Sequence, residues 1–258
     1  MRAAAAARAC VCASARTLRT TLCARPPPPH PPSRRADPPK GAETWTATEG
    51  GFSCALDLVK HIRAHYGDYF CVSVSGYPEG HPNVIKKVEA GEALSASEAS
   101  RVITLEDGAY VCRDADYQAE LAYLKAKVDA GATLIITQMF FDADVFLQFS
   151  RDCRAAGISV PIMPGIMLIQ NYGGFKRMTA FCKSRVPAAL AAALDAAKDD
   201  DAAVRAIGIK HGADTCRTLA AAGVKGLHLY TLNLEAGMYG VLKELGLYKP
   251  FPEGTTFD

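Results

Sequence analysis

The sequence predicts an α/β fold in which parallel strands are joined by crossover helices, in the manner of a (β/α) barrel. Three observations carry this. From residue 52 onward, strand-like and helix-like segments alternate, the pattern of parallel strands with helical returns. The strand segments are apolar on both faces, as a sheet covered by helices requires. Polar and aromatic residues collect just after the strands: Tyr77 and His81, then Gln138, then Gln170 and Asn171, then Tyr230 and Asn233. A (β/α) barrel keeps its active site at that end. No GxGxxG follows a strand, so the dinucleotide fingerprint of a Rossmann sheet is missing.

The elements follow in order. Residues 1–36 are arginine-rich, acid-free and broken by PPPPHPP, which can be neither helix nor central strand. Residues 1–34 are therefore expected to stay outside the fold, as an organelle transit peptide or as an artefact of the gene model. Residues 52–67 place Phe52, Ala55, Leu56, Val59 and Ile62 on one helical face before a glycine stop. DYFCVSVSGYP (68–78) reads as a buried strand, running into the turn-rich GYPEGHPN. The connection after His81 is unusually long; 84–118 reads as a surface insertion, a lid being one role for it. Within it 102–112 looks like a hairpin turning at Asp107-Gly108. A helix is expected over 119–132 with Leu121, Leu124 and Val128 inward, and TLIITQMFF (133–141) is the clearest strand. Asp142 should cap a helix running to Ala156 and closed by Gly157. A strand at 160–167, helical material over 172–223 broken at Pro187 and restarting at 199–201, a strand at 226–232 and a helix at 234–245 complete the chain.

Composition removes several function classes. The 258 residues carry a formal net charge of only +2, so neither nucleic acid nor an acidic membrane is the expected partner. No apolar run approaches the length of a membrane span. The nine cysteines include no CxxC and have no histidine cluster beside them, so no metal is expected and they read as reduced thiols. A cytoplasmic location follows, with organelle targeting by residues 1–34 as the alternative.

GYPEGHP, LKAKVDAGATLIITQMFFD, MPGIM and LHLYTLN, in this order and spacing, together with ADPPKGAETWTATEGGFSCALDLVKHIR at 36–63, resemble the methylenetetrahydrofolate reductase family, most closely its eukaryotic members. The resemblance implies a (β/α)8 TIM barrel, here about its second half, four parallel strands within residues 35–258. It implies FAD as cofactor, NAD(P)H as hydride donor, and reduction of 5,10-methylenetetrahydrofolate to 5-methyltetrahydrofolate, a step of one-carbon and methionine metabolism. It also implies residue roles. Arg35, Ala36 and Asp37 fall where the family has Arg-Gly-Asp, with Asp37 beside both flavin and folate as the catalytic carboxylate. Cys54 and Ala55 match a cofactor-contacting pair. Tyr77 belongs on the flavin side of the mouth, and His81, Pro82, Asn83 and Val84 along the ribityl and phosphate path. Glu120 would bond a cofactor hydroxyl and Lys127 meet the pyrophosphate. Gln138 and Tyr230, with Asp37, would contact the folate.

Each residue also has a plain structural reading. Tyr77 can fill the top of a barrel, His81 can be a turn histidine bonded to its own backbone, and Lys127 and Glu120 can be ordinary helix charges. Gln138 is different, because a buried amide at the end of an apolar strand needs partners. The sequence departs from the family at Ala36, where a glycine is usual, at Leu168 for a proline, at Gly174 for a bacterial glutamine, and at Leu234 for an arginine that holds the glutamate tail of folate in some members. The family's general-acid glutamate belongs to the first half of the barrel, which these residues do not match. Open sheet edges then point to a second copy, a homo-oligomer, or another partner. The alternative function is a catalytically inactive fragment that binds flavin or folate or serves as an interaction module.

Overall fold

The computed structural model describes residues 10–12, 47 and 50–248. In chain order the elements are β1 (Cys10–Cys12), α1 (Ala55–Tyr66), β2 (Cys71–Gly76), β3 (Ile85–Lys87), α2 (Ala96–Ser100), β4 (Ile103–Leu105), β5 (Gly108–Cys112), α3 (Asp114–Asp129), β6 (Leu134–Phe140), α4 (Ala143–Ala155), β7 (Ile162–Met167), α5 (Tyr172–Cys182), α6 (Ala188–Ala196), α7 (Asp201–Ala221), β8 (His228–Tyr230) and α8 (Glu235–Glu244). One sheet has the order β1-β2-β6-β7-β8, and a smaller sheet the order β3-β5-β4. All pairings in the first sheet are parallel, so the α/β fold with crossover helices stands, and the four expected strands are β2, β6, β7 and β8.

Local chemistry explains the boundaries. The side chain of Asp142 accepts the amide of Asp144 at the start of α4, and Gly157 follows with φ +80°. Asn171 caps α5 by accepting the amide of Gly174, and Asp200 caps α7. Apolar faces then bury against the sheet. Val72, Val74 and Ile135 pack with α1, α3 and α4 through Val59, Leu121 and Phe149. Phe140, Ile166 and Leu168 pack with α4, α7 and α8 through Phe146, Ala213 and Val241. Met139, Met167 and Ile169 pack with α5 and α6 through Phe175 and Leu190. Gly76 allows one of these approaches, since a Cβ there would lie 2.9 Å from Ile135 Cγ2.

Four expectations are corrected. Residues 1–34 do not stay wholly outside the fold: Cys10, Val11 and Cys12 pair in register with Cys71, Val72 and Ser73. Without that pairing this edge of β2 would present unpaired backbone groups, and a short β-prone segment satisfies them. The hairpin turns one residue early. Leu105 pairs with Gly108, so Glu106 and Asp107 form the turn, and the Asp107 carboxylate accepts the Tyr110 hydroxyl at 2.5 Å. The third helix begins at Asp114 rather than at 119, with Asp114 and Asp116 in its first turn, where acids favour the helix dipole. The insertion, expected at the surface, also contributes to the core. Ile85, Ile103 and Cys112 are fully buried in the same cluster as Val72 and Leu121, and the hairpin is tied to α5 by an ion pair between Lys176 and Glu106 at 2.7 Å. Among the described residues no helix is long and apolar enough to cross a membrane.

Candidate functional site

Sheet register brings the candidate residues to one edge. Gly76 of β2 pairs with Thr137 of β6, so Tyr77, just past the end of β2, stands level with Gln138 near the end of the neighbouring parallel strand. Met139 pairs with Gly165 and Met167 with Tyr230, which puts Tyr230 at the C-terminal end of β8. Tyr77, Gln138 and Tyr230 therefore share the C-terminal edge of the sheet, with the His81 turn directly after β2. Arg35, Ala36 and Asp37 lie outside the described residues.

A first group sits at the β2 edge. Lys127 of α3 is buried at 4% exposure, and its Nζ donates to the Ser75 carbonyl at 2.9 Å. Alternate carbonyls of a strand point to opposite edges. Val72 O accepts from Thr133 at the β6 side, so Ser75 O points the other way, beyond the short pairing with β1. Lys127 thus satisfies an acceptor that no described strand reaches. Burial lowers its pKa to about 8, against the opposing pull of Glu120. Burial in turn raises that of Glu120, which Lys127 opposes. Tyr123 lies beneath the ammonium at 4.9 Å and is hydrogen-bonded to Cys54, the residue before α1. The Cys54 thiol also reaches Asp57 Oδ2 at 3.3 Å, and Ala55 opens the helix. A gap of only about 10 Å³ is lined by Ser75, Tyr77, Glu120 and Lys127.

The turn after β2 forms the second group. Tyr77 and His81 meet edge to face, centroids 4.7 Å apart. His81 Nδ1 accepts the Asn83 amide at 3.3 Å, and His81 O accepts the Val84 amide at 2.8 Å, so the plain reading of His81 as a turn histidine describes part of its role. Pro82 is buried and Asn83 exposed. Gly80, at φ +94°, lies against Cys112, where a Cβ would come within 2.6 Å of Sγ.

The third group is built by a bulge. Between Ile136 and Met139, β6 spends one more residue than β7. At that point Thr137, fully buried, accepts the Gly165 amide on Oγ1 at 2.9 Å and the Tyr230 hydroxyl on its carbonyl at 3.0 Å. Gln138 is half-buried, and its Oε1 accepts the Met139 amide at 3.1 Å. His228 packs edge to face on Tyr230 at 4.6 Å. Just beyond, Leu232 and Asn233 adopt left-handed backbone at φ +51° and +63°, costly for a branched side chain. The departures from the family have local settings: Gly174 carries the amide that caps α5, and Leu234 is exposed.

Thr137, Tyr123, Glu79 and Arg185 were not singled out by sequence reasoning. Only Glu79 gave a signal, as an acid between Pro78 and Gly80 in a turn that had to pack. A wider hollow of about 440 Å³ lies at the opposite end of the sheet, bordered by Leu134, Ile162 and Met163, away from these groups. Among the described residues no cluster of three or more His, Cys, Asp or Glu could hold a metal ion.

Comparison with known proteins supplies relatives. Residues 33–246 match the family model for methylenetetrahydrofolate reductase. The maize protein methylenetetrahydrofolate reductase (NADH) 1 is 51% identical over 213 residues, 83% of this chain and 32% of that protein. Methylenetetrahydrofolate reductase 2 of Saccharomyces cerevisiae is 40% identical over 214 residues, again 83% of this chain and 31% of the relative. The Escherichia coli 5,10-methylenetetrahydrofolate reductase is 35% identical over 178 residues, 69% of this chain and 50% of its own length. The chain thus spans about a third of the length of the plant and yeast relatives. A solved structure of an uncharacterized Clostridium thermocellum protein that binds two copies of 5-methyl-5,6,7,8-tetrahydrofolic acid overlaps 72% of this chain and 56% of that one at TM-score 0.43 and 11% identity, too distant to bear on function.

Proposed function

The chain belongs to the methylenetetrahydrofolate reductase family, and from that premise we propose that it carries part of the site at which 5,10-methylenetetrahydrofolate is reduced to 5-methyltetrahydrofolate, with FAD as cofactor and NAD(P)H as electron donor. The observation that supports this most is the register that brings Tyr77, Gln138 and Tyr230 to one edge of the parallel sheet, the end at which TIM barrels work.

The residues fit the cofactor in kind. A dinucleotide needs a cation for its phosphates, acceptors for its hydroxyls and apolar walls for its rings. Lys127, Glu120 and the Tyr77–His81 pair supply these around one gap and turn. When bound, FAD supplies the transfer of a hydride equivalent to the one-carbon unit. The protein's part is positional. Glu120, whose pKa burial raises and Lys127 opposes, would accept from a ribityl hydroxyl. Lys127 would offer its ammonium to a phosphate oxygen, a charged acceptor in place of the neutral Ser75 carbonyl. His81, Pro82, Asn83 and Val84 would hold the cofactor's phosphate side, and Cys54 and Ala55 would meet it at the start of α1. Gln138 can give and receive hydrogen bonds with a pterin, whose edge alternates donors and acceptors, while the Thr137 bond fixes Tyr230 beside it. Arg35, Ala36 and Asp37 join the site in this reading, Asp37 as the catalytic carboxylate between cofactor and folate. The reading carries with it a cytoplasmic, self-associating protein.

The test uses the whole chain. Added to free FAD, it should quench flavin fluorescence with a saturable midpoint, and Lys127→Met should move that midpoint about tenfold upward, the worth of one charge-assisted bond. Flavin fluorescence unaffected by excess protein would overturn cofactor binding. With FAD bound, Gln138→Glu should impair folate-dependent turnover while leaving the flavin midpoint in place; a fall in both would remove Gln138 from the folate side.

A further inference from the structure

We propose that Glu79 is a positioning residue for this site, locking the His81 turn to the end of β6 so that the cofactor-side and folate-side residues keep one spacing. The proposal rests on the functional reading above, but the linkage is visible without it. Glu79 lies inside the turn closed by the Gly80 amide donating to Tyr77 O at 3.0 Å. Its side chain is buried. Oε1 accepts the backbone amide of Arg185 at 2.6 Å, and the Ser184 side chain, itself 1% exposed, is a further hydrogen-bond partner. The Arg185 guanidinium then divides, one nitrogen donating to Asp142 Oδ2 at 2.8 Å and another to Ser100 O at 2.8 Å. Asp142 is the cap of α4 and stands four positions after Gln138 on the same run of chain. One carboxyl thus joins the turn bearing His81, the α5–α6 connection, the β6–α4 junction and, through Ser100, the insertion.

The proton on this carboxyl matters. Burial raises its pKa to about 8; the Arg185 amide and guanidinium and Ser184 oppose that, and Asp142 adds to it. These are the charged and hydrogen-bonding groups that face it from the connection and from α4. At neutral pH the side chain is a neutral acid that can accept with one oxygen and donate with the other. Glutamine has the same shape and the same pair of functions; alanine has neither.

The experiment compares the whole chain as wild type, Glu79→Gln and Glu79→Ala, reading two quantities. Hydrogen-exchange protection, corrected for the intrinsic pH dependence of exchange, is followed at the turn and at the Arg185 amide from pH 6 to 9 without cofactor. Flavin affinity is followed in parallel. Glu79→Ala should lower protection at both segments and weaken flavin binding by about tenfold or more, as removal of a buried hydrogen-bonded group does. Glu79→Gln should match wild type at pH 6 and keep that protection at pH 9, where wild type loses it. If Glu79→Ala does not fold, Arg185→Ala carries the test: it spares the backbone bond to Glu79 but cuts the link to Asp142, and should loosen the β6–α4 junction. Protection unchanged in Glu79→Ala, or Glu79→Gln as damaged as alanine at every pH, overturns the proposal. Equal flavin affinity in all three proteins overturns the positioning role while leaving cofactor binding intact. Absence of flavin binding in all three, with the expected exchange pattern, upholds the coupling and removes the functional reading instead.

Discussion

Burying an ammonium costs free energy, and the Ser75 carbonyl, the Tyr123 ring and the pull of Glu120 offset only part of it at Lys127. Its folded pKa is about 8, against 10.5 for an ordinary lysine. The folded state therefore binds this proton less tightly than the unfolded chain does. The stability associated with the group is present in full above the ordinary value, is lost as pH falls toward 8, and changes little below that. Lys127→Met removes the titration along with the hydrogen bond. Thermal melts from pH 6 to 10.5 should show the variant gaining on wild type as pH falls to about 8 and then running parallel, with a span on the order of 3 kcal/mol at most. A difference independent of pH would mean that the ammonium is better solvated than its 4% exposure indicates. The same residue shows what sequence could not supply. A lysine near the end of an amphipathic helix reads as solvated; its burial depends on a sheet edge 52 positions away in the chain.

At the scale of the element, the bulge in β6 is what seats Tyr230. Thr137 meets two demands there with two different atoms, Oγ1 for the Gly165 amide and its carbonyl for the Tyr230 hydroxyl. Thr137→Val keeps the shape and orphans a buried N–H, so chemical denaturation should show a loss of about 1–3 kcal/mol with Tyr230 undisturbed. Gly165→Ala is expected to be worse, because its Cβ would fall 2.3 Å from Thr137 O and 2.6 Å from Tyr230 Cε2. Its melting temperature should drop below that of Thr137→Val, and an equal or higher value would mean that β7 can shift. Strands β2, β6, β7 and β8 were legible because an apolar run flanked by helices and glycines has one economical reading. The bulge was not, since nothing in TLIITQMFF marks which residue is extra. The hairpin was legible as a hairpin, yet its turn was displaced because the Asp-Gly preference places the glycine inside the turn, while Gly108 begins the next strand here. The third strand of its sheet, β3, was missed because three residues are too few to show a period; what marks the small sheet as core is the burial of Ile85 and Ile103, a tertiary fact.

Across the whole molecule, protection should follow the sheet order. β6 has strand neighbours on both sides and helix α4 against it. β1 and β8, three residues each, have one neighbour apiece, and every residue of β8 is only half-buried. Edge strands open by local fluctuation, whereas central strands exchange only when the domain opens. Native-state hydrogen exchange should therefore find the slowest amides in β6, as at Ile135, and those of β8 faster by about two decades, the difference of some 3 kcal/mol expected between local and global opening. Leu232, Leu234 and Leu247 are exposed near that end of the chain, so another surface could cover the β8 edge. If it does, β8 will exchange as slowly as β6, and light scattering will report a mass above that of one 27.5 kDa chain. Slow exchange in β8 at the mass of a single chain would contradict the sheet order itself, since no described strand would remain to account for it.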